Sequence, residues 1–181
     1  MTDPVRIRLL ETLGNREIRE LSDVLIDCVE GGASVSFMLP MTRDKAENFW
    51  RNVAAGVVRG DRVILAAEDA EGTIVGTVQV VWAQPENQPH RGDIAKMLVH
   101  RRARRLGVGA TLLAAAERSA LSNGKTLLVL DTVTGADAER MYVREGWQRC
   151  GVIPDYALWP NGGFCATTVF FKQLRAGPAP M

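Results

Sequence analysis

The sequence has 181 residues, 46% of them hydrophobic, with 22 lysines and arginines against 21 aspartates and glutamates. A chain of this length can bury a core that needs neither disulfides nor a structural metal, and its size is typical of one soluble domain. The net charge of +1 excludes a broad electrostatic surface for nucleic acid or an anionic membrane, because such surfaces need an excess of basic residues. We therefore expect a single domain over residues 1–175, a flexible tail over residues 176–181, and no nucleic-acid or membrane partner.

Cysteine usage and hydropathy indicate the compartment. Cys28, Cys150 and Cys165 are far apart and odd in number, which matches neither a disulfide framework nor the close pairs of a zinc site. No apolar run approaches the roughly 18 residues of a membrane span, and charged residues interrupt the first positions of the chain, unlike a signal peptide. We expect reduced thiols, no metal and a cytoplasmic protein.

A short strand, two helices and a hairpin are predicted in the first half. Apolar residues recur at helical spacing from Ile18 to Val29 and stop at a Gly-Gly pair. Thr42 is a suitable N-cap for a second amphipathic helix, which runs up to Gly56. Two runs rich in β-branched residues flank the turn sequence Asp-Ala-Glu-Gly and form an antiparallel hairpin. The predicted strands lie at residues 6–9, 63–68 and 73–82.

The second half predicts a strand, a helix and a strand in direct succession, followed by a helix and two closing strands. The first three elements are typical of a right-handed crossover that joins two parallel strands. The closing strands flank a loop rich in proline and glycine. The expected fold class is α/β, a mixed sheet with helices packed on it. The strands are placed at residues 93–99, 126–131, 147–152 and 167–174, and the helices at residues 107–122 and 136–145.

The segment that carries the most chemical information is residues 104–109, Arg-Arg-Leu-Gly-Val-Gly, between a strand and a helix. Glycines let backbone amides turn toward a ligand, and the first helical turn leaves N–H groups unpaired, so the segment suits a phosphate. The third glycine of a dinucleotide fingerprint is missing, as is the Lys-Ser/Thr pair of a P-loop. A phosphate site without a metal or a nicotinamide suggests a carrier such as coenzyme A. Cations are disfavoured at this helix end, so a bound polyanion explains the basic cluster Arg101, Arg102, Arg104 and Arg105.

Residues 99–109 resemble motif A of the GNAT family of N-acetyltransferases, except that Arg101 stands where many members have proline. A second family element is similar to the pattern Ala138, Tyr142, Gly146, Trp147. Segments at residues 31–38, 96–99, 130–132 and 170–172 are similar to the tabtoxin-resistance members, which acetylate a bacterial toxin. The resemblance implies a GNAT fold with about four helices and a mixed, mostly antiparallel sheet of about seven strands, in which a central parallel pair is splayed for coenzyme A.

The family resemblance also implies a role for each matching residue. Acetyl-CoA is the expected co-substrate: the backbone of Met97, Leu98 and Val99 would pair with its pantetheine arm. An N–H of Leu98 or Val99 would donate to the acetyl carbonyl, and amides from Arg105 to Ala110 would hold the pyrophosphate. The implied binding set is Met97, Leu98, Val99, Arg104, Arg105, Leu106, Gly107, Val108, Gly109 and Ala110.

Three residues are the catalytic candidates. Tyr142 would be the general acid, since a phenol with a pKa near ~10 can protonate a thiolate whose conjugate acid lies near ~8.5. Asp93 and Asp131 are acids in otherwise apolar parallel strands; with a pKa near ~3.9 they are poor bases for an ammonium, so ammonium binding with proton removal through water is favoured. His90 and His100 are more typical of exposed loop positions. A cysteine nucleophile is a minor alternative.

The resulting hypothesis is direct acetyl transfer to the amino or hydroxyl group of a small molecule, such as an amino-acid-like toxin or antibiotic. A non-catalytic acyl-CoA sensor and a protein or peptide N-acetyltransferase are the alternatives. We expect a monomer or a homodimer. Aromatic side chains are expected at the acceptor end, with residues 154–163 as a lid or rim; these are Trp82, Tyr156, Trp159 and Phe164.

Overall fold

A seven-stranded sheet organises the structure, a computed structural model that describes residues 5–174. The predicted tail at residues 176–181 lies outside the described residues. A single 3-10 turn, Arg101–Ala103, precedes the third helix. In chain order the elements are β1 (Arg6–Leu9), α1 (Asn15–Glu30), α2 (Arg43–Val58), β2 (Arg62–Glu68), β3 (Ile74–Trp82), β4 (Arg91–Val99), α3 (Val108–Ser122), β5 (Leu127–Val133), α4 (Asp137–Arg144), β6 (Gln148–Leu158) and β7 (Phe164–Gln173).

The strand order confirms the predicted fold class. The sheet runs β1-β2-β3-β4-β5-β7-β6. Only β4 and β5 are parallel, and every other neighbouring pair among the described strands is antiparallel. Parallel neighbours need a long crossover, which α3 supplies. The mixed sheet and the central parallel pair agree with the resemblance.

Two apolar layers hold the helices on the sheet. α1 and α2 cover one face, where Trp50 and Leu21 are completely buried. α3 covers the opposite face, where Leu112 and Phe170 are equally buried. The amphipathic spacing of each helix explains this arrangement, since one apolar stripe per helix faces the sheet. β4 therefore runs between two cores, and this fixes its position at the centre of the molecule.

The closing hairpin differs from its prediction. β6 continues to Leu158 instead of ending at residue 152, and β7 begins at Phe164 instead of residue 167. The proline of the segment, Pro154, is tolerated because β6 is an edge strand and its pairing shifts register between Ile153 and Ala157. The predicted rim loop at residues 154–163 is therefore wrong in its first half, and the connection is a turn at residues 159–163. No helix within residues 5–174 has the length and apolarity to cross a bilayer.

Candidate active site

The parallel strands separate after three residue pairs. β4 and β5 are in register only from Arg91 with Leu127 to Asp93 with Val129. Beyond that point β5 stays paired with β7 as far as Val133, and β4 stays paired with β3 as far as Val99. The edge of β4 that faces β5 is consequently left without strand partners over residues 94–99. A cavity of about 950 Å³ lies in the gap.

A bulge in β4 accompanies the separation. The pairing of β3 with β4 shifts between Thr77 and Gln79, which are opposite Leu98 and Ala95. Lys96 lies in the bulge with a φ of 48°, in the left-handed region that residues other than glycine rarely adopt. A bulge bends its strand and interrupts the ladder, so it accounts for the divergence of β4 from β5. Met97, Leu98 and Val99, the predicted pantetheine strand, all line the cavity.

The turn before α3 has the form of an anion site. Gly107 is the N-cap of α3 with a φ of 79°, which glycine adopts without steric cost. The first helical hydrogen bond runs from the Thr111 N–H to the Gly107 carbonyl, so the amides of Val108, Gly109 and Ala110 precede the helical ladder. A Cβ at Gly109 would lie 2.8 Å from Met141 Sδ, so glycine permits the close approach of α4.

All but one of the predicted cofactor residues line the cavity. Leu106 is the exception, and its side chain is 53% exposed. The members of the predicted set that line the cavity are Met97, Leu98, Val99, Arg104, Arg105, Gly107, Val108, Gly109 and Ala110.

The four arginines of this region have different partners. Arg101 binds Asp27 through its backbone N–H and its Nε, both at 2.8 Å, and Arg102 binds Asp69 at 2.8 Å. Arg104 Nε donates to the Val99 carbonyl at 3.1 Å. Arg105 is in no ion pair within the described part of the chain. Structural ion pairs therefore explain two of the four arginines that the sequence analysis assigned to a polyanion.

Tyr142 is a buried residue of α4 that lines the cavity. Its side chain is 4% exposed, and its ring packs against Trp147 and Phe170 with centroid distances of 5.8 and 6.0 Å. Burial raises the pKa of the Tyr142 phenol, and the nearby Asp131 carboxylate raises it further. The phenol is thus protonated at neutral pH and can donate a proton or a hydrogen bond into the cavity.

The two candidate acids have different environments. Asp131 is exposed and lines the cavity, and its Oδ2 accepts a hydrogen bond from Thr167 Oγ1 at 3.0 Å. Asp93 lies in the closed part of the parallel pair, beside Val129, where its Oδ1 accepts from Arg91 at 2.7 Å. Asp93 is not among the residues that line the cavity. The tertiary structure therefore brings Asp131 together with Tyr142 and leaves Asp93 outside.

The structure also separates the other candidates. Tyr156 and Trp159 line the cavity, whereas Trp82 and Phe164 do not; Trp82 instead lies beneath Lys125 Nζ at 5.2 Å. His100 is outside the cavity with its Nε2 at 3.5 Å from Asp27, and His90 is also outside it. Of the three free cysteines, Cys28 and Cys165 are buried and line the cavity, and Cys150 is exposed.

Sequence reasoning missed two parts of the cavity wall. Residues 31–38, between α1 and α2, lie along one side, and Lys96 projects from the bulge. The available signal was a lysine in an otherwise apolar stretch of β4, because a buried strand rarely carries an ammonium without a purpose. The loop carried only its similarity to the tabtoxin-resistance members, which did not indicate where it lies, since its position depends on the packing of α1 and α2.

Comparisons with known proteins agree with this fold. The sequence profile of the acetyltransferase (GNAT) family matches residues 36–147, which include β4, α3, β5 and α4. A relative from Azospirillum brasilense, an uncharacterized N-acetyltransferase in the hisH-hisA intergenic region, is 29% identical over 133 residues, which make up 72% of this chain and 76% of the relative.

Solved structures with this fold cover nearly the whole chain. An acetyltransferase of Acinetobacter baylyi ADP1 superposes with a TM-score of 0.80 at 14% identity, over 100% of this chain and 99% of its own. The yncA protein of Salmonella typhimurium, solved with its cofactor acetyl-CoA, superposes with a TM-score of 0.76 at 17% identity, over 98% of each chain.

Proposed function

The chain belongs to the GNAT family of acetyltransferases, and from this premise we propose that it transfers an acetyl group from acetyl-CoA directly to the amino group of a small molecule. The observation that carries the proposal is the cavity between the splayed strands. It joins an unpaired strand edge and a free helix N-terminus to a protonated phenol and an exposed carboxylate. A hydroxyl acceptor would use the same groups.

The residues around the cavity fit acetyl-CoA. After Asp93, β4 has no strand partner on the side of β5, and an extended amide-bearing arm would pair with the free backbone groups of this edge; the Val99 carbonyl already accepts from Arg104 Nε. The amides of Val108, Gly109 and Ala110 suit a pyrophosphate, as does the side chain of Arg105. When bound, acetyl-CoA would supply an activated acetyl thioester, with the coenzyme A thiolate as the leaving group.

The chain's own residues would supply three functions. A backbone N–H of Leu98 or Val99 would donate to the acetyl carbonyl, where negative charge develops. Tyr142 would donate its proton to the departing sulfur. The raised pKa of the Tyr142 phenol makes that transfer less favourable than it would be from an ordinary phenol. Asp131 would hold the acceptor ammonium while water removes its proton.

We expect the acceptor to lie between a loop and two aromatic side chains that line the cavity. Residues 34–38 wall one side, and Tyr156 and Trp159 wall another. The resemblance to the tabtoxin-resistance members points to an amino-acid-like toxin or antibiotic. A sensor that binds an acyl-CoA without turnover and a protein or peptide acetyltransferase are the competing functions.

The test is thiol release from acetyl-CoA with a panel of amino acids, toxins, aminoglycosides, polyamines and peptides. We expect turnover with a small amine, and a Tyr142→Phe variant that binds acetyl-CoA with unchanged affinity by calorimetry but is at least roughly tenfold slower. The ring remains, so packing against Trp147 and Phe170 is preserved. An unchanged rate in Tyr142→Phe would remove Tyr142 from the mechanism, and binding without turnover by any acceptor would favour the sensor.

A further inference from the structure

Lys96 is a half-buried ammonium on the wall of the cavity that the proposed mechanism does not use. Its Nζ donates to Ser36 Oγ at 3.1 Å. The same nitrogen lies 5.9 Å from the ring centre of Phe37 and 5.8 Å from that of Phe49. One hydroxyl and two aromatic faces therefore surround a cation that has direct access to the cavity.

The charge of Lys96 lacks a direct counterion. Within residues 5–174, no carboxylate lies within 4.0 Å of its Nζ. The half-buried Lys172 is different, since its Nζ lies 2.8 Å from both carboxylate oxygens of Glu117 and 2.8 Å from the Glu145 carbonyl. Burial lowers the pKa of Lys96, and Asp131 opposes that change. Partly buried charges are normally paired and hydrogen-bonded. Lys96 has a hydrogen bond to Ser36 but no paired negative charge among the described residues.

Both residues of the contact between Lys96 and Ser36 have a strained backbone. Lys96 and Ser36 have φ values of 48° and 76°, and both are outside the usual range for residues with a side chain. They lie on different parts of the chain, the β4 bulge and the loop after α1, yet their side chains meet. Strained residues of this kind cluster at ligand-binding positions, where the surrounding structure holds them in place.

We propose that Lys96 binds a carboxylate of the acceptor, so that the substrate is an amino acid or a compound with the same charged groups. The proposal rests on the proposed acetyl transfer. Lys96 and Asp131 line one cavity from the two splayed strands and present opposite charges. Asp131 attracts the ammonium that is to be acetylated, and Lys96 completes its hydrogen bonding with the carboxylate. An amine without an anionic group would leave the Lys96 charge unpaired.

Matched acceptors and matched variants test this assignment. The acceptors are the L-amino acids, each measured beside its C-terminal amide, which keeps the amine and removes the carboxylate. The variants are Lys96→Met, which removes the charge, and Lys96→Arg, which keeps it; neither adds backbone strain because all three residues have a Cβ. Lys45→Met is the control, since exposed Lys45 also lies over Phe37, at 5.8 Å, but is outside the cavity.

We expect the unmodified protein to use an acid at least roughly tenfold better than its amide, by kcat/KM. Lys96→Met should raise KM for the acid at least roughly tenfold with little change in kcat and no change for the amide, because one charge-assisted hydrogen bond is lost. The Lys96→Arg variant should retain part of the preference for the acid over the amide. The Lys45→Met variant should retain all of that preference. Equal use of acid and amide by the unmodified protein would overturn the assignment. An equal fall in kcat for both in Lys96→Met would also overturn it, since it places Lys96 in proton transfer.

Calorimetry distinguishes a failure of the proposed acetyl transfer from a failure of the proposed carboxylate site. If the panel shows cofactor binding but no thiol release, the proposed transferase activity fails, and amino acids are titrated into protein saturated with coenzyme A. Binding of an acid, but not of its amide, that is lost in Lys96→Met supports the carboxylate site. The absence of any carboxylate-dependent binding in the unmodified protein refutes it. Melting temperatures of the variants establish that each is folded.

Discussion

The two halves of the parallel pair β4–β5 differ in strand pairing and in packing, although they share the same strands. In the closed half, a Cβ at Gly92 would lie 3.1 Å from the side chains of both Leu128 and Val80, so backbone and core are in close contact. In the open half, β4 keeps Leu98 in the core but loses its β5 partner and acquires the strained Lys96. A bulge thus separates the closely packed part of β4 from the part that lines the cavity.

Little of the sheet is disrupted where the cavity forms. Only one edge of β4 is opened, because pairing with β3 resumes at Thr77 and Leu98 after the register shift. The unpaired edge is then the place where an extended ligand can add to the sheet. Mutations in the closed half should therefore act on folding, and mutations in the open half on ligand binding.

The largest expected effect is in the closed half. Leu128 is completely buried beside Gly92, and Leu128→Ala should lower the free energy of unfolding by about 2–5 kcal/mol, because it removes apolar contacts and leaves a cavity. Urea unfolding measures the change. The same substitution at exposed Leu106 should alter stability by less than about 0.5 kcal/mol. Equal losses at the two positions would contradict the difference in packing.

A smaller effect on stability, coupled to ligand binding, is expected at the open end. Gly107→Ala places a Cβ at a φ of 79° and should cost about 1–2 kcal/mol, with an affinity for acetyl-CoA that is severalfold lower because the amides before α3 move. Gly60→Ala is the matched control: its φ is 76° and it also has open space around its Cβ. It should lose similar stability and keep its affinity, as measured by calorimetry. Equal affinities in both variants would refute a role for the Gly107 turn in binding.

The smallest effect concerns the ion pair that attaches the 3-10 turn to α1. Burial by itself raises the pKa of Asp27, but hydrogen bonds from Arg101 and the charges of His100 and Arg101 bring it below its ordinary value. A lowered carboxyl pKa stabilises the fold above the unfolded value and loses that contribution as the pH falls through the folded value. Asp27→Asn should therefore cost about 1 kcal/mol at pH 7 and less at pH 3, by urea unfolding.

The control for Asp27 is an exposed ion pair. Asp23 and Arg43 have side chains that are 55% and 49% exposed, so Asp23→Asn should change stability by less than about 0.5 kcal/mol. If the cost of Asp27→Asn were the same at both pH values, the Asp27 carboxylate would not be responsible for it.

Local patterns were sufficient for most of the fold. Helical spacing and the Thr42 cap located α1 and α2, and the cap is observed with Thr42 accepting from the Lys45 N–H. The strand, helix and strand succession predicted the parallel pair, because crossover connections follow a simple rule of handedness. The prediction failed in β6, where Pro154 suggested a loop. Whether a proline breaks a strand depends on its position in the sheet, and an edge position is set by strand order rather than by local sequence.

The site was predictable to a lesser extent. The glycine-rich turn and the position of Tyr142 were accessible from motif spacing. The unequal placement of Asp93 and Asp131 was not, since both are acids in apolar strands and only the length of the paired segment separates them. The place of Lys96 and residues 31–38 in the cavity wall was also missed, because the contact between Lys96 and Ser36 joins positions sixty residues apart.

The sequence by itself determined most of the elements, the parallel crossover and the glycine turn before α3, since each follows from the spacing of nearby residues and the chemistry of glycine and helix termini. The tertiary structure decided where β4 and β5 separate, which acid reaches the cavity, which arginines are engaged in ion pairs, and that Lys96 is left without a carboxylate partner among the described residues. Those outcomes depend on register, the bulge and packing between distant segments, which local sequence does not encode.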